Sequence, residues 1–259
     1  MESLEGRSVK LTLAYDGTDY VGWQRQANGV SIQAVLEDAL ARIEDRRVTL
    51  AGSGRTDAGV HALGQVASVR LCCPLNEQEL IRALNSMLPR DIRVLCAERA
   101  DSDFHARYAA LSKTYRYRVV TSKVLSPFEQ RYSWHVTRAL DSVQMRDAST
   151  LLCGRHDFSA FQVGEPVSSP TIRTIFKFEM QSSSVKPGDE VDGGFVITFE
   201  ITGDGFLRHM VRSIVGTLVQ VGSGKRELST IERALRLGDR TEVGPTAPAR
   251  GLFLVRVNY

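Results

Sequence analysis

Between Ser8 and Glu44 the spacing of apolar side chains changes period, and that change limits the chain to a fold that mixes strands with helices. In "SVKLTLAY", Val9, Leu11, Leu13 and Tyr15 recur at every second residue, the pattern of a strand with one buried face. In "SIQAVLEDALARIED", Ile32, Val35, Leu36, Ala39, Leu40 and Ile43 fall at i, i+3, i+4, i+7, i+8 and i+11, which predicts an amphipathic helix with Ser31 as its N-cap. "RVTLAG" and "QVASVRL" then read as strands, "NEQELIRALNSML" as a helix capped by Asn76 and stopped at Pro89, and "IRVLCAE" as another strand. The order is β-α-β-β-α-β.

From Ser112 the order returns with elaborations. "TYRYRVV" reads as a strand, "DSVQMRDASTLLCG" as a helix ending at Gly154, and "TIRTIFKFEM" and "GFVITFEI" as strands flanking the turn-rich "KPGDEVDGG". A long helix is expected over "FLRHMVRSIVGTLVQVG", with Arg208 and Arg212 one turn apart on it, then a short helix near "STIERALRLG" and a last strand, "LFLVRVNY". This order is that of the ferredoxin-like split βαβ motif. The expected fold is therefore α+β: two ferredoxin-like halves, 7–103 and 104–259, with joined antiparallel or mixed sheets and a cleft at their junction.

A chain of 259 residues with 42% hydrophobic and 24% charged content has ample length for a core and excludes disorder. "MESLEGRSVK" lacks an apolar export segment, and no window approaches a membrane span, so a cytoplasmic protein with no membrane partner is expected. The net charge of +3 is mild, but its distribution is uneven. Between Asp103 and Glu129 no acid occurs, while Arg107, Lys113, Arg116, Arg118 and Lys123 alternate with Phe104, Tyr108, Tyr115 and Tyr117. A second acid-free stretch, Gly205 to Arg226, carries Arg208, Arg212, Lys225 and Arg226. Cations mixed with aromatics suit phosphates and unstacked bases, as they also suit a solvated strand face.

Several chemistries fall away. Four cysteines without C-x-x-C spacing and five dispersed histidines signal neither a disulfide framework nor a metal site. "VGSGKREL" resembles the end of a P-loop, but Val219 upstream of it sits where the first glycine is needed and Arg226 where Ser or Thr is needed, so no nucleotide cofactor is expected. No G-x-S-x-G elbow occurs. What remains is one carboxylate, Asp57, in the Gly-rich "GSGRTDAGVHALGQ", with Arg55 beside it to touch phosphate. Asp57 is either a presented reactive group or a turn residue capping backbone amides.

"YDGTDYVGWQRQ", "AGSGRTDAGVHALGQV", "DFHARYAALSKTYRYRV", "GDGFLRHMVRSIVG" and "ARGLFLVRVNY", in this order along essentially the whole chain, resemble the bacterial tRNA pseudouridine synthase A family. The resemblance implies a cofactor-independent isomerisation of uridine to pseudouridine at positions 38 to 40 of the tRNA anticodon stem-loop, by a homodimer with an RNA-binding cleft. It implies Asp57 as the catalytic carboxylate, Tyr115 as the tyrosine packed on the target base, and Arg212 as the basic partner of Asp57. His105 and Arg107 of "DFHAR" are expected to grip RNA, or else to brace the crossover between the halves. A non-catalytic tRNA-binding protein is the alternative, although such a protein has no need of Asp57, which repels phosphate.

Overall fold

The computed structural model describes residues 6–164, 170–184 and 194–259. The chain groups into two compact units, residues 1–111 with Phe253–Tyr259, and Ser112–Leu252. The turn-rich segment expected at 186–194 lies outside the described residues except for Gly194.

In the first unit the elements are β1 (Arg7–Tyr15), α1 (Ile32–Glu44), β2 (Ala51–Gly52), β3 (His61–Leu71), α2 (Glu77–Met87) and β4 (Ile92–Ala100). β1 pairs antiparallel with both β3 and β4, and β2 pairs antiparallel with β3, which gives the β4-β1-β3-β2 order of a split βαβ unit. Val9, Leu11, Leu13 and Tyr15 are buried, as the alternation requires. The Ser31 side chain accepts from the Ala34 amide, and Asn76 and Glu79 form a reciprocal capping box, so both helix starts are fixed by the residues that mark them in the sequence.

The second unit holds β5 (Ser112–Thr121), β6 (Trp134–Val136), α3 (Ser142–Thr150), β7 (Gly154–Asp157), β8 (Ile172–Ser184), β9 (Phe195–Gly203), α4 (Met210–Gly222) and α5 (Ser229–Leu237). β5, β9, β8 and β7 pair antiparallel in that order, and β6 runs parallel beside β5. Tyr115, Tyr117 and Val119 face Ile201, Phe199 and Ile197 across the β5–β9 ladder, and these side chains form the buried side of the sheet.

Chain order assigns the last strand, β10 (Leu252–Asn258), to the second half, but Phe253–Tyr259 belongs to the first unit. The reason is local. β10 runs parallel to β3, with Phe253 opposite His61 and Leu254 opposite Ala62. The Leu111 amide donates to Asn258 O (2.9 Å), the Tyr259 hydroxyl donates to Ala106 O (2.8 Å), and the Tyr259 ring packs on Phe104. These contacts also draw residues 104–111 into the first unit, which moves the boundary from 103 to 111.

α4 is shorter than its sequence pattern. His209 adopts a left-handed conformation (φ 60°) as the N-cap, so the helix begins at Met210. Phe206 is turned edge-on to Tyr115, and Arg208 lies exposed outside the helix. Arg208 and Arg212 therefore do not share a helix face.

Candidate active site

The loop carrying Asp57 joins β2 to β3 and is fastened from below and beside. Beneath it runs a buried polar chain: Ser53 Oγ donates to Gln65 Oε1 (2.7 Å), Gln65 Nε2 donates to Gly54 O (3.0 Å) and to Tyr15 Oη (3.3 Å), and Tyr15 Oη meets Thr56 Oγ1 (2.9 Å). Burial, against the hydrogen bonds from Thr56 and Gln65, pushes the Tyr15 hydroxyl up to about 12, so it stays neutral. Beside the loop, the Trp23 amide donates to Thr56 O (3.0 Å) and the Gly59 amide to Tyr20 O (3.3 Å).

Glycines make this contact possible. Gly22 has φ +102°, and a Cβ there would lie 2.6 Å from Thr56 O; a Cβ on Gly17 would lie 2.0 Å from Val60 O. Helix α1 braces the same region. Glu37 binds Arg25 Nε (2.8 Å) and accepts from the Leu50 amide (3.0 Å), while Gln33 donates to Leu50 O (3.0 Å). Gln33 and Glu37 lie off the helix's apolar stripe in sequence, yet both are buried because they hold the amide and carbonyl of Leu50, on the chain that leads into this loop.

Asp57 is half-buried in this frame, and its carbonyl accepts from the Val60 amide (3.1 Å). Arg55 is exposed, with Nε donating to Gln24 Oε1 (3.0 Å). His105 and Arg107 sit elsewhere in the unit. The Ala106 amide donates to Ser68 Oγ (3.1 Å), which places this segment seven residues beyond His61 along β3. At the rise of an extended strand that is about 23 Å from the strand end next to Asp57. His105 packs on Tyr108, which is 78% exposed, and the Arg107 guanidinium lies 5.8 Å from the Tyr108 ring centre. This is an exposed cation and aromatic platform, apart from the Asp57 loop.

Tyr115 and Arg212 belong to the second unit. Tyr115 is 8% exposed, opposite Ile201 on β9, with its ring edge-on to Phe206 at 5.0 Å. Arg212 is the third residue of α4, and its guanidinium is oriented by a strap, residues 243–248, laid along the helix. Arg212 Nε donates to Ala247 O (2.8 Å) and the Ala247 amide donates back to Arg212 O (3.1 Å). The Gly244 amide donates to Thr217 Oγ1 (2.9 Å), and the Tyr117 hydroxyl donates to Pro248 O (2.7 Å). Burial pushes the Tyr117 phenol well above its ordinary value against the pull of Arg212 and Arg250, so it remains a donor.

The acid-free stretch is less cationic in the fold than in the sequence. Arg116 Nε binds Glu200 (2.8 Å) and Arg118 binds Glu129 (3.0 Å). Sequence reasoning missed the strap, Gln33, Glu37 and the parts that Tyr117 and Gln65 play in holding the site. Two signals were there to read: Gly216 inside the apolar "RSIVGTLVQV", a mark of close backbone approach, and Gln65 inside a buried strand. Among the described residues no group of three or more His, Cys, Asp or Glu side chains is placed to hold a metal ion, and no helix is long and apolar enough to cross a membrane.

A family model described as tRNA pseudouridine synthase matches residues 12–109 and 148–259. The chain is 45% identical over 251 residues to the tRNA pseudouridine synthase A of Syntrophotalea carbinolica, covering 97% of this chain and 96% of that one. It is 41% identical over 253 residues to the protein of the same name from Thermodesulfovibrio yellowstonii, covering 97% and 99%, and 43% identical over 251 residues to that from Myxococcus xanthus, covering 97% and 91%.

Proposed function

The chain belongs to the tRNA pseudouridine synthase family, and on that premise we propose that it isomerises uridine to pseudouridine in the anticodon stem-loop of tRNA, at positions 38 to 40. The observation that carries the reading is Asp57, a single carboxylate on a loop held by buried hydrogen bonds from Tyr15, Thr56 and Gln65. A loop fastened in this way presents its side chain at low reorganisation cost, which is what a reacting group needs.

A uridine within a stem is out of reach until it is flipped from the stack, at a cost of about a few kcal/mol that phosphate contacts and stacking offset. Asp57 supplies the carboxylate of the step that frees C1′ from N1. The uracil turns, C1′ bonds to C5, the proton on C5 leaves and N1 gains one. Atoms balance within the nucleotide, so the reaction calls for no metal, redox partner or nucleotide cofactor. Tyr115 packs on the target base and Arg212 keeps Asp57 ionised by opposite charge. Arg55, His105 and Arg107 bind the RNA backbone. The protein acts in the cytoplasm, as a homodimer.

Incubating unmodified tRNA with the pure protein and mapping the modified positions tests this directly. The expected product is pseudouridine at positions 38 to 40 with the RNA mass unchanged. Bound but unaltered RNA would identify a non-catalytic binder, and release of free uracil would identify a glycosylase.

A further inference from the structure

The second acid-free stretch ends on Lys225 and Arg226, which the proposed reaction does not use. In the fold Arg226 meets Arg240 on one short piece of backbone. Arg226 donates to Thr241 O (3.1 Å) and Glu242 O (2.9 Å), and Arg240 donates to Gly244 O (3.1 Å) with Thr246 Oγ1 at 3.5 Å. Both guanidiniums are half-buried, and Lys225 beside them is exposed. Among the described residues neither has a carboxylate within ion-pairing distance. The neighbouring acids are committed elsewhere: Glu242 to Arg233 (3.0 Å), Glu227 to Ser229 (3.2 Å) and Asp239 to the Thr241 amide (2.8 Å).

The two arginines brace different carbonyls, those of Thr241 and Glu242 for Arg226 and that of Gly244 for Arg240. A second cation alongside, with no carboxylate between them, is a repulsive arrangement that a bound anion relieves. Burial and the Arg226 charge together hold the Arg240 guanidinium below its ordinary value, the direction expected where cations are gathered without an anion. Each guanidinium has five N–H donors in a planar fork that matches phosphate oxygens, and the carbonyl bonds use only part of that set.

We propose that Arg226 and Arg240 clamp a phosphodiester of the RNA backbone. The inference rests on the tRNA reading above. It also has a position in the site, because Arg240 holds Thr246, the residue before Ala247, whose carbonyl orients Arg212. A phosphate seated on the pair thus bears on the strap that aims Arg212.

The test is tRNA affinity of the full chain measured from about 50 to 200 mM salt. Arg226→Gln and Arg240→Gln are each expected to weaken binding at low salt and to reduce the slope of log affinity against log salt by about one, whereas Arg240→Lys keeps the slope. Melting curves taken alongside establish that the variants fold. Inorganic phosphate at constant ionic strength provides a second arm: it should raise the melting temperature of the wild type more than that of the folded variants. Should neither glutamine variant fold, phosphate protection of the wild type decides, and its absence overturns the clamp. Folded variants with the wild-type slope overturn it and leave a structural brace. Phosphate protection without loss of slope marks a free-anion site and overturns the RNA assignment. Wild-type protein that neither binds nor modifies tRNA overturns the underlying reading instead.

Discussion

Arg212 occupies the first turn of α4, where a cation faces the positive end of the helix dipole, a placement that costs about 0.3–1 kcal/mol. Its charged bond to Ala247 O returns about 1.5–3 kcal/mol, part of which a glutamine amide at this position can keep. Arg212→Gln should accordingly keep the melting temperature within about 4 °C of the wild type while lowering single-turnover rates about a hundredfold or more, with Arg212→Lys recovering part of the rate. A wild-type rate in Arg212→Gln would remove the residue from the mechanism. Tyr15 carries the opposite signature, since its work is structural. Its folded pKa of about 12 exceeds the unfolded value of 10.0, so the folded state binds the proton more tightly between those values. Stability is then full below pH 10, falls as pH rises from 10 to 12, and loses about 3 kcal/mol from this group across the window. Denaturant unfolding at stepped alkaline pH checks it: Tyr15→Phe should flatten part of that decline, and an unchanged profile would contradict the buried network.

Gly216 decides how α4 meets the strap. A Cβ at this position would lie 1.7 Å from Pro245 O, so Gly216→Ala must push the strap off the helix, with an overpacking cost of about 1–3 kcal/mol. Because the strap aims Arg212 and also carries Gly244 and Thr246, which hold Arg240, kcat should fall by a larger factor than tRNA affinity; a drop in stability with kcat unchanged would show that the strap does not position the arginine. At this scale the sequence was readable wherever one local rule governed an element. The period change and the Ser31 and Asn76 caps placed β1, α1 and α2. It misled where tertiary contacts overrode the local rule. "RVTLAG" has strand composition, but only Ala51–Gly52 pairs, since Gly52 lies against Trp23 and the chain then turns into the Asp57 loop. The helix expected from Phe206 starts at Met210, because Phe206 packs on Tyr115 and His209 goes left-handed. Asp57 stands out in the sequence as the carboxylate of a Gly-rich loop, but its role and those of Tyr115 and Arg212 come through a resemblance; of the groups that hold them, Gln65 lies in the same stretch as Asp57, whereas Gln33, Glu37 and residues 243–248 are distant in sequence from what they hold and fit no local pattern.

Across the whole molecule, charge argues for a second copy. A net +3 is small for a protein that grips an L-shaped tRNA, and the ion pairs of Arg116 with Glu200 and Arg118 with Glu129 reduce the usable basic surface further. If one subunit grips with the Arg107 and Tyr108 platform and the other performs the chemistry, mixing Asp57→Ala with Arg107→Ala protein should restore part of the activity that each lacks. A monomer in sedimentation at working concentration would exclude the dimer, and a dimer without complementation would exclude the shared grip. The central claim, that Asp57 performs the isomerisation, is tested most directly by tritium release from tRNA carrying C5-tritiated uridine. The wild-type chain should release tritium. Asp57→Asn, which keeps the shape of the side chain but not its charge or nucleophilicity, should bind the same tRNA with nearly unchanged affinity and release none. Sustained release by Asp57→Asn, in protein verified by mass to be free of deamidation back to aspartate, would contradict the account.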